Sequence, residues 1–232
     1  MENDFVSGLK KILKNNGTIT FEFPTVVNLI NDNLWDTVYH EHFSYLSLTS
    51  VEIFLKRNGI KVYDVEQIKT HGGSLRVFAT HANNNIEVEK SVKSLLNYEK
   101  NIGIKKLIYY ENLQGNARQK KYEVLKFLLN QKLKNKNVVG YGAAAKAATL
   151  FNYCGIKSDL FHFVVDNNPH KQNKYFPGSR VPIVSKNMLK KFKPDYIVIL
   201  PWNLKDEIIE QLSYARKWNA KFVVLFPRIK IF

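Results

Sequence analysis

The residues best suited to moving protons in this chain are Tyr39, His40, Glu41 and His42, four consecutive positions inside an aromatic-rich run that begins at Leu34 and ends at Tyr45. A phenol, a carboxylate and two imidazoles cover the acid–base chemistry available near neutral pH. Trp35, Phe43 and Tyr45 flank them, so the segment is expected to be partly buried, where pKa values move toward a catalytic range. Three arrangements are open. On a strand, His40 and His42 share a face, as metal-binding pairs do, although no third ligand stands at a recognisable spacing. The two imidazoles could instead be satisfied core groups. On a helical turn, Tyr39 and His42 share a face with Glu41 beside them, which gathers a base, a hydrogen-bond donor and an orienting carboxylate around one point.

Three further motifs could bind. In His71-Gly72-Gly73-Ser74-Leu75-Arg76 a glycine pair turns the backbone before a strand, with His and Arg flanks that a bare turn does not need. Gly140-Tyr141-Gly142-Ala143-Ala144-Ala145-Lys146 leaves a β run and opens a helix. It fits Gly-x-Gly-x-x-Ala, which lets a backbone approach a pyrophosphate at a helix N-terminus. Lys146 adds a point charge for phosphate, and Asp166 ends the next β run, where an acid meets a ribose hydroxyl. The competing reading is a tight strand-to-helix turn. Trp202 follows another β run at the carboxyl edge of the sheet, where it either stacks on a base or plugs the sheet end. His170 reads as a surface residue.

The elements that position these groups fall into two patterns. Residues 2 to 15 read as an amphipathic helix stopped by Asn16-Gly17, and residues 18 to 23 as a strand closed by Pro24. Thr49 to Glu52 reads as a capping box opening a helix that Gly59 ends. Residues 61–65 and 74–80 then read as sequential strands, an antiparallel pair at a sheet edge. Residues 86–134 read as two helices with Gly115-Asn116 between them and a solvated basic face. From Asn137 onward strands alternate with helices: 138–141, 161–166, 195–200 and 221–226 are β-rich, the pattern of a small doubly wound domain.

Composition narrows the partners. At 45% hydrophobic residues the chain can bury a core, which excludes wholesale disorder. No apolar stretch reaches the roughly 20 residues that span a bilayer, and the acidic N-terminus lacks a secretory core. One cysteine, Cys154, excludes an internal disulfide framework and fits a reducing cytoplasm. The net charge of +15 calls for an anionic partner, nucleic acid or a phosphorylated small molecule. The lysines are scattered among asparagines and no nucleic-acid module is present, so neither nucleic acid nor membrane is expected as a partner.

Taken in order, Glu22-Phe-Pro24, Asp36-Thr-Val-Tyr-His-Glu-His-Phe-Ser-Tyr45, His71-Gly-Gly-Ser-Leu-Arg76, Gly140-Tyr-Gly-Ala-Ala-Ala-Lys146, Asn152-Tyr-Cys-Gly-Ile156 and Val165-Asp-Asn-Asn-Pro-His-Lys-Gln172 resemble the S-adenosylmethionine-dependent C-methyltransferases of nucleotide-linked keto-deoxysugars. The resemblance runs from about residue 4 to the C-terminus. It implies an α/β fold with three parts: the C-terminal half of a class I methyltransferase sheet in residues 1–84, a helical connector in 85–134, and a Rossmann-like nucleotide-sugar-binding domain in 135–232. It makes Tyr39, Glu41 and His42 the catalytic set. Removing a hydrogen next to a ketone calls for a base, and His42 serves. The enolate calls for a donor, Tyr39, and Glu41 orients both. His71, Gly73, Ser74, Arg76, Gly140, Tyr141, Gly142, Lys146, Asp166 and Trp202 become substrate-binding residues for a nucleoside-diphosphate sugar.

The family's zinc cysteines and its glycine-rich grip on S-adenosylmethionine have no counterpart in these 232 residues, and no metal site is expected. The chain therefore reads as a C-terminal portion that a separate N-terminal polypeptide could complete. The alternatives are a non-catalytic nucleotide-sugar-binding remnant and a dinucleotide-dependent oxidoreductase built on the Gly140 loop. The chain alone is expected to bind S-adenosylmethionine poorly or not at all. Micromolar binding in isothermal titration would overturn this.

Overall fold

The structure is a computed structural model and describes residues 2–68 and 72–232. It has an α/β architecture organised as two compact units: Met1–Asp32 with Phe43–Leu113, and Asn33–His42 with Gln114–Phe232. Chain order and unit membership therefore differ. The chain passes into the second unit at Asn33, returns to the first at Phe43, and passes over again at Gln114.

The first unit is built on three strands, β1 (Ile19–Pro24), β2 (Ile60–Ile68) and β3 (Ser74–His81), in the order β1-β3-β2. Both pairings are antiparallel, with Glu22 opposite Arg76 on one side of β3 and Glu66 opposite Arg76 on the other. The expected pair of sequential strands is present, and β3 also inserts between β2 and β1. Leu75, Val77 and Ala79 alternate along β3 and are fully buried, the period-two pattern of a half-buried strand. They share a core with Val6 of α1 (Glu2–Ile12), Leu48, Val51 and Leu55 of α3 (Leu48–Arg57), and Val92 of α4 (Lys90–Asn101). The short α2 (Val26–Asn31) begins at Thr25, whose hydroxyl accepts the Asn28 N–H.

Helix α3 begins two residues earlier than the expected Thr49 cap. Ser47 and Ser50 form a reciprocal capping box, and the buried Glu99 carboxylate of α4 accepts the Leu48 and Thr49 N–H groups at 2.8 and 2.7 Å. A carboxylate from fifty residues away in sequence thus sets the helix start, which local pattern could not reveal. Gly115 likewise does not separate two helices. It lies inside α5 (Leu113–Leu133), and the break falls earlier, at Ile102 and Gly103.

The second unit holds a seven-stranded sheet. Its strands are β4 (Val138–Tyr141), β5 (Val164–Val165), β6 (Lys174–Tyr175), β7 (Pro182–Val184), β8 (Tyr196–Ile199), β9 (Lys221–Val224) and β10 (Lys230–Ile231). The order is β10-β9-β8-β4-β5-β7-β6, parallel from β9 through β7, with an antiparallel strand at each edge. Every residue of β4 is buried, as in a parallel strand covered on both faces. Helices α6 (Ala145–Cys154), α7 (Asn187–Phe192) and α8 (Lys205–Gln211) connect the strands. β6, β7 and β10 have only two or three residues each, too short to leave a periodic signal in the sequence.

Phe151 of α6 is fully buried, with its ring 4.9 Å from Phe161 and 5.1 Å from Phe176. Phe151→Ala is expected to cost about 3–5 kcal/mol of stability through lost transfer energy and a residual cavity, and Phe151→Leu about 1 kcal/mol. Urea denaturation followed by tryptophan fluorescence measures both, and equal costs would contradict the tight aromatic packing.

Candidate functional site

The sequence-selected residues meet in two places within the second unit. The first is the 39–42 segment. The His42 N–H donates to the Tyr39 carbonyl at 2.9 Å, so the backbone turns instead of running as a strand. The Tyr39 and His42 rings lie side by side, centroids 4.2 Å apart. Nδ1 of His42 is 2.8 Å from the Thr37 carbonyl oxygen. A carbonyl only accepts, so Nδ1 carries the hydrogen and Nε2 of the neutral ring holds the lone pair. One short loop contact thereby selects the nitrogen that can take a proton.

The segment rests on α6 and the core of its own unit. Trp35 packs against Tyr153 and Phe226, with ring centroids at 4.6 and 5.2 Å. The Thr149 hydroxyl donates to the Val38 carbonyl at 3.0 Å, and the Thr37 hydroxyl to the Leu34 carbonyl at 2.7 Å. Tyr39, His40 and Glu41 line a cavity of about 700 Å³ together with Ala143, Ala144 and Ala145 at the start of α6. Lys171, Lys174 and Tyr175 line it too. Two ammonium groups, an aromatic ring and apolar methyls suit a ligand that carries phosphate and a flat ring.

The second meeting place is a buried cluster at the carboxyl ends of β4 and β8. The Trp202 indole N–H donates to Oδ2 of Asp36 at 2.7 Å. The Lys146 ammonium donates to Oδ1 of Asn203 at 2.8 Å and lies 4.6 Å from the centre of the Trp202 ring. Asp36, Lys146 and Trp202 are buried. Burial pulls the Lys146 ammonium below the ordinary lysine value, and the Asp36 charge partly restores it. Burial pushes Asp36 up to about 6, against the opposing pull of the Trp202 N–H and the Lys146 charge.

The glycine loop is closely packed on both sides. A Cβ on Gly140 would stand 2.8 Å from Val164 and 2.9 Å from Leu200, so this glycine permits close sheet packing. Gly142 has φ +88°, and a Cβ there would fall 2.5 Å from the Pro201 ring. Oδ2 of Asp166 accepts the Ala143 N–H at 2.6 Å, and the Lys171 ammonium donates to the Ala143 carbonyl at 2.8 Å. The loop's own acid therefore occupies an amide that a phosphate would otherwise meet. The buried Tyr141 hydroxyl accepts from Asn167 at 2.9 Å, and burial pushes its pKa up.

In the first unit, Gly73 has φ +120°, and a Cβ there would overlap the Asn28 amide. Gly73 and Ser74 line a cavity of about 1050 Å³ with Thr25, Asn28, Gln67 and Tyr98. Arg76 bridges Glu22 and Glu66, each at 3.1 Å, across the three strands. His71 lies outside the described residues. Among those residues, no three His, Cys, Asp or Glu side chains converge as a metal ion requires, and no helix is long and apolar enough to cross a membrane.

Residues 69–227 match the family described as the C-methyltransferase C-terminal domain. The chain belongs to that family. It is also 32% identical over 229 residues to the C-methyltransferase NovU of Streptomyces niveus, covering 99% of this chain and 54% of that protein. The chain thus spans about half the length of this curated relative.

Asp36 in the buried cluster and Lys174 and Tyr175 on the cavity were not among the candidate site residues read from the sequence. Lys174 and Tyr175 follow the loop after Asp166, and their place at the carboxyl edge was a usable signal. Asp36 heads the run that ends at Tyr45, but its partner lies 166 positions away and left no local signal.

A folded-state pKa of about 6, above the ordinary aspartate value of 3.8, means that the native state keeps a proton the unfolded chain releases. The stability from Asp36 is fully present below pH 4 and lost as pH rises through 6. Asp36→Asn removes this titration. The stability of the wild type relative to the variant is therefore expected to fall by up to about 3 kcal/mol between pH 4 and 7 in urea titrations. A pH-independent difference would contradict it.

Proposed function

We propose that the chain is the C-terminal part of an S-adenosylmethionine-dependent C-methyltransferase whose acceptor is a keto-deoxysugar carried on a nucleoside diphosphate. The observation that carries this reading is His42: its Nδ1–H is held by the Thr37 carbonyl and its ring lies on Tyr39. Nε2 is thereby prepared to act as a base. A C–H bond next to the ketone breaks, its proton passes to Nε2, and the electron pair moves onto the ketone oxygen as an enolate. The Tyr39 hydroxyl donates a hydrogen bond to that oxygen, and Glu41 orients the pair. The carbon activated in this way is the nucleophile that C-methylation requires.

Lys171 and Lys174 supply cations for the diphosphate in the cavity that Tyr39 and Glu41 also line, and Tyr175 offers a face to the base. The engagement of Asp166 by the Ala143 amide favours this reading over a dinucleotide-dependent oxidoreductase, which needs that acid for a ribose.

S-adenosylmethionine supplies the methyl group when bound, but the described residues do not fit it. Glu99, the buried carboxylate on the first unit's cavity, is held by the Leu48 and Thr49 amides and the Thr49 hydroxyl and is not available to a ribose diol. On this reading the donor's site belongs to a further part of the enzyme. The lone buried Cys154 accords with a cytoplasmic enzyme.

In an enzyme completed by that missing part, His42→Gln is expected to abolish methyl transfer, a loss of at least a hundredfold in kcat. Binding of the nucleotide sugar should stay within about threefold by isothermal titration. Equal loss of turnover and binding would make His42 structural.

A further inference from the structure

We propose that Asp36 is a positioning residue: its hydrogen bond from Trp202 seats the 39–42 turn and sets the contact between the Tyr39 and His42 rings. Asp36 is only 2% exposed, and taking a carboxylate out of water costs several kcal/mol unless its partners compensate. They compensate in part. Oδ2 receives the Trp202 N–H and the Lys146 charge acts on the carboxylate, while Oδ1 has no hydrogen-bond partner. Among the described residues, the buried side-chain polar atoms without a partner are Asn33 Oδ1, Trp35 Nε1 and Asp36 Oδ1, all within residues 33–36. Each such atom gives up its hydrogen bonds to water without a replacement. Stability is given up at one short stretch of chain, as happens where a position is constrained by use.

The path from Asp36 to the proton-carrying atoms is short. The next residue, Thr37, provides the carbonyl that holds Nδ1 of His42, and its hydroxyl is tied back to the Leu34 carbonyl. Any shift of residue 36 moves that carbonyl and with it the His42 ring. On the other side, Trp202 and Asn203 belong to the loop after β8 and Lys146 to α6, so one carboxylate ties the turn to both. Lys146 is turned toward Asn203 and Trp202, which makes it part of this seat in place of a phosphate ligand.

The proposal rests on the catalytic reading of the turn only for the purpose it gives the seat. Its test therefore does not need turnover. The Tyr39 ring shields His42 by ring current, so the carbon-bound ring protons of His42 report the contact in proton NMR of the intact chain with labelled histidine. Asp36→Leu removes the acceptor, and Trp202→Phe removes only the indole N–H. Both are expected to move the His42 signals toward free-histidine positions, with the Tyr39–His42 cross-peaks lost. Asp36→Asn, which still accepts from Trp202, is expected to restore them. A purely structural Asp36 would lower the melting temperature and leave the His42 signals of the folded protein where they were. His42 signals unmoved in folded Trp202→Phe overturn the proposal, even where Asp36→Leu fails to fold. Moved signals combined with full methyl transfer by His42→Gln would instead overturn the catalytic reading and leave the seat in place.

Discussion

The hydrogen bond from Trp202 to Asp36 is the interaction on which the arrangement of the second unit's site depends. It joins a loop at the carboxyl end of the parallel sheet to a stretch of chain that arrives from between two elements of the first unit. Such a contact is strong because both groups are out of water, and a buried partner left alone would be costly. Around it, Leu34 and Trp35 enter the core and Lys146 fills the remaining space with a charge. The turn that follows has little freedom, and the direction of its histidine is fixed by a backbone oxygen two residues outside it.

The sheet explains why the ligand cavity lies where it does. In an open parallel sheet the natural crevice is at the point where strand order reverses, here between β4 and β8. Pro201 closes that crevice against Gly142, and Trp202 with Lys146 occupies the space behind. The open space lies instead along Ala143 to Ala145 and the loop after β5. In this glycine-rich turn Gly140 and Gly142 lie against side chains of the sheet and Pro201, and the neighbouring Ala143 amide meets an internal carboxylate.

Much of this was legible beforehand. The strand at 138–141, the helix opened by Ala145 and the pair of sequential strands ending at His81 follow from periodicity and glycine placement. The turn at 39–42 was one of three arrangements that the sequence left open, and the contact of the Tyr39 and His42 rings selects it. The parts that escaped depend on distant partners. Glu99 sets the start of α3 at Leu48, Asp36 finds its partner in Trp202, and Lys146 finds Asn203 and the indole ring. Nearest-neighbour patterns carry no information about contacts closed over fifty or more residues, and in this chain those contacts build the buried cluster and the start of α3.

The threading of the chain carries an evolutionary consequence. Residues 33–42 are encoded between parts of one unit and folded into the other. No single cut in the gene separates the two units intact. A cut at Gln114 would leave the parallel sheet without Leu34 and Trp35, and the first unit with a ten-residue loop that has lost its support. Shuffling the Rossmann-like part among relatives as a cassette would exchange the floor of the site and keep a foreign turn. Exchange of either unit therefore has to carry residues 33–42 with the sheet that buries them.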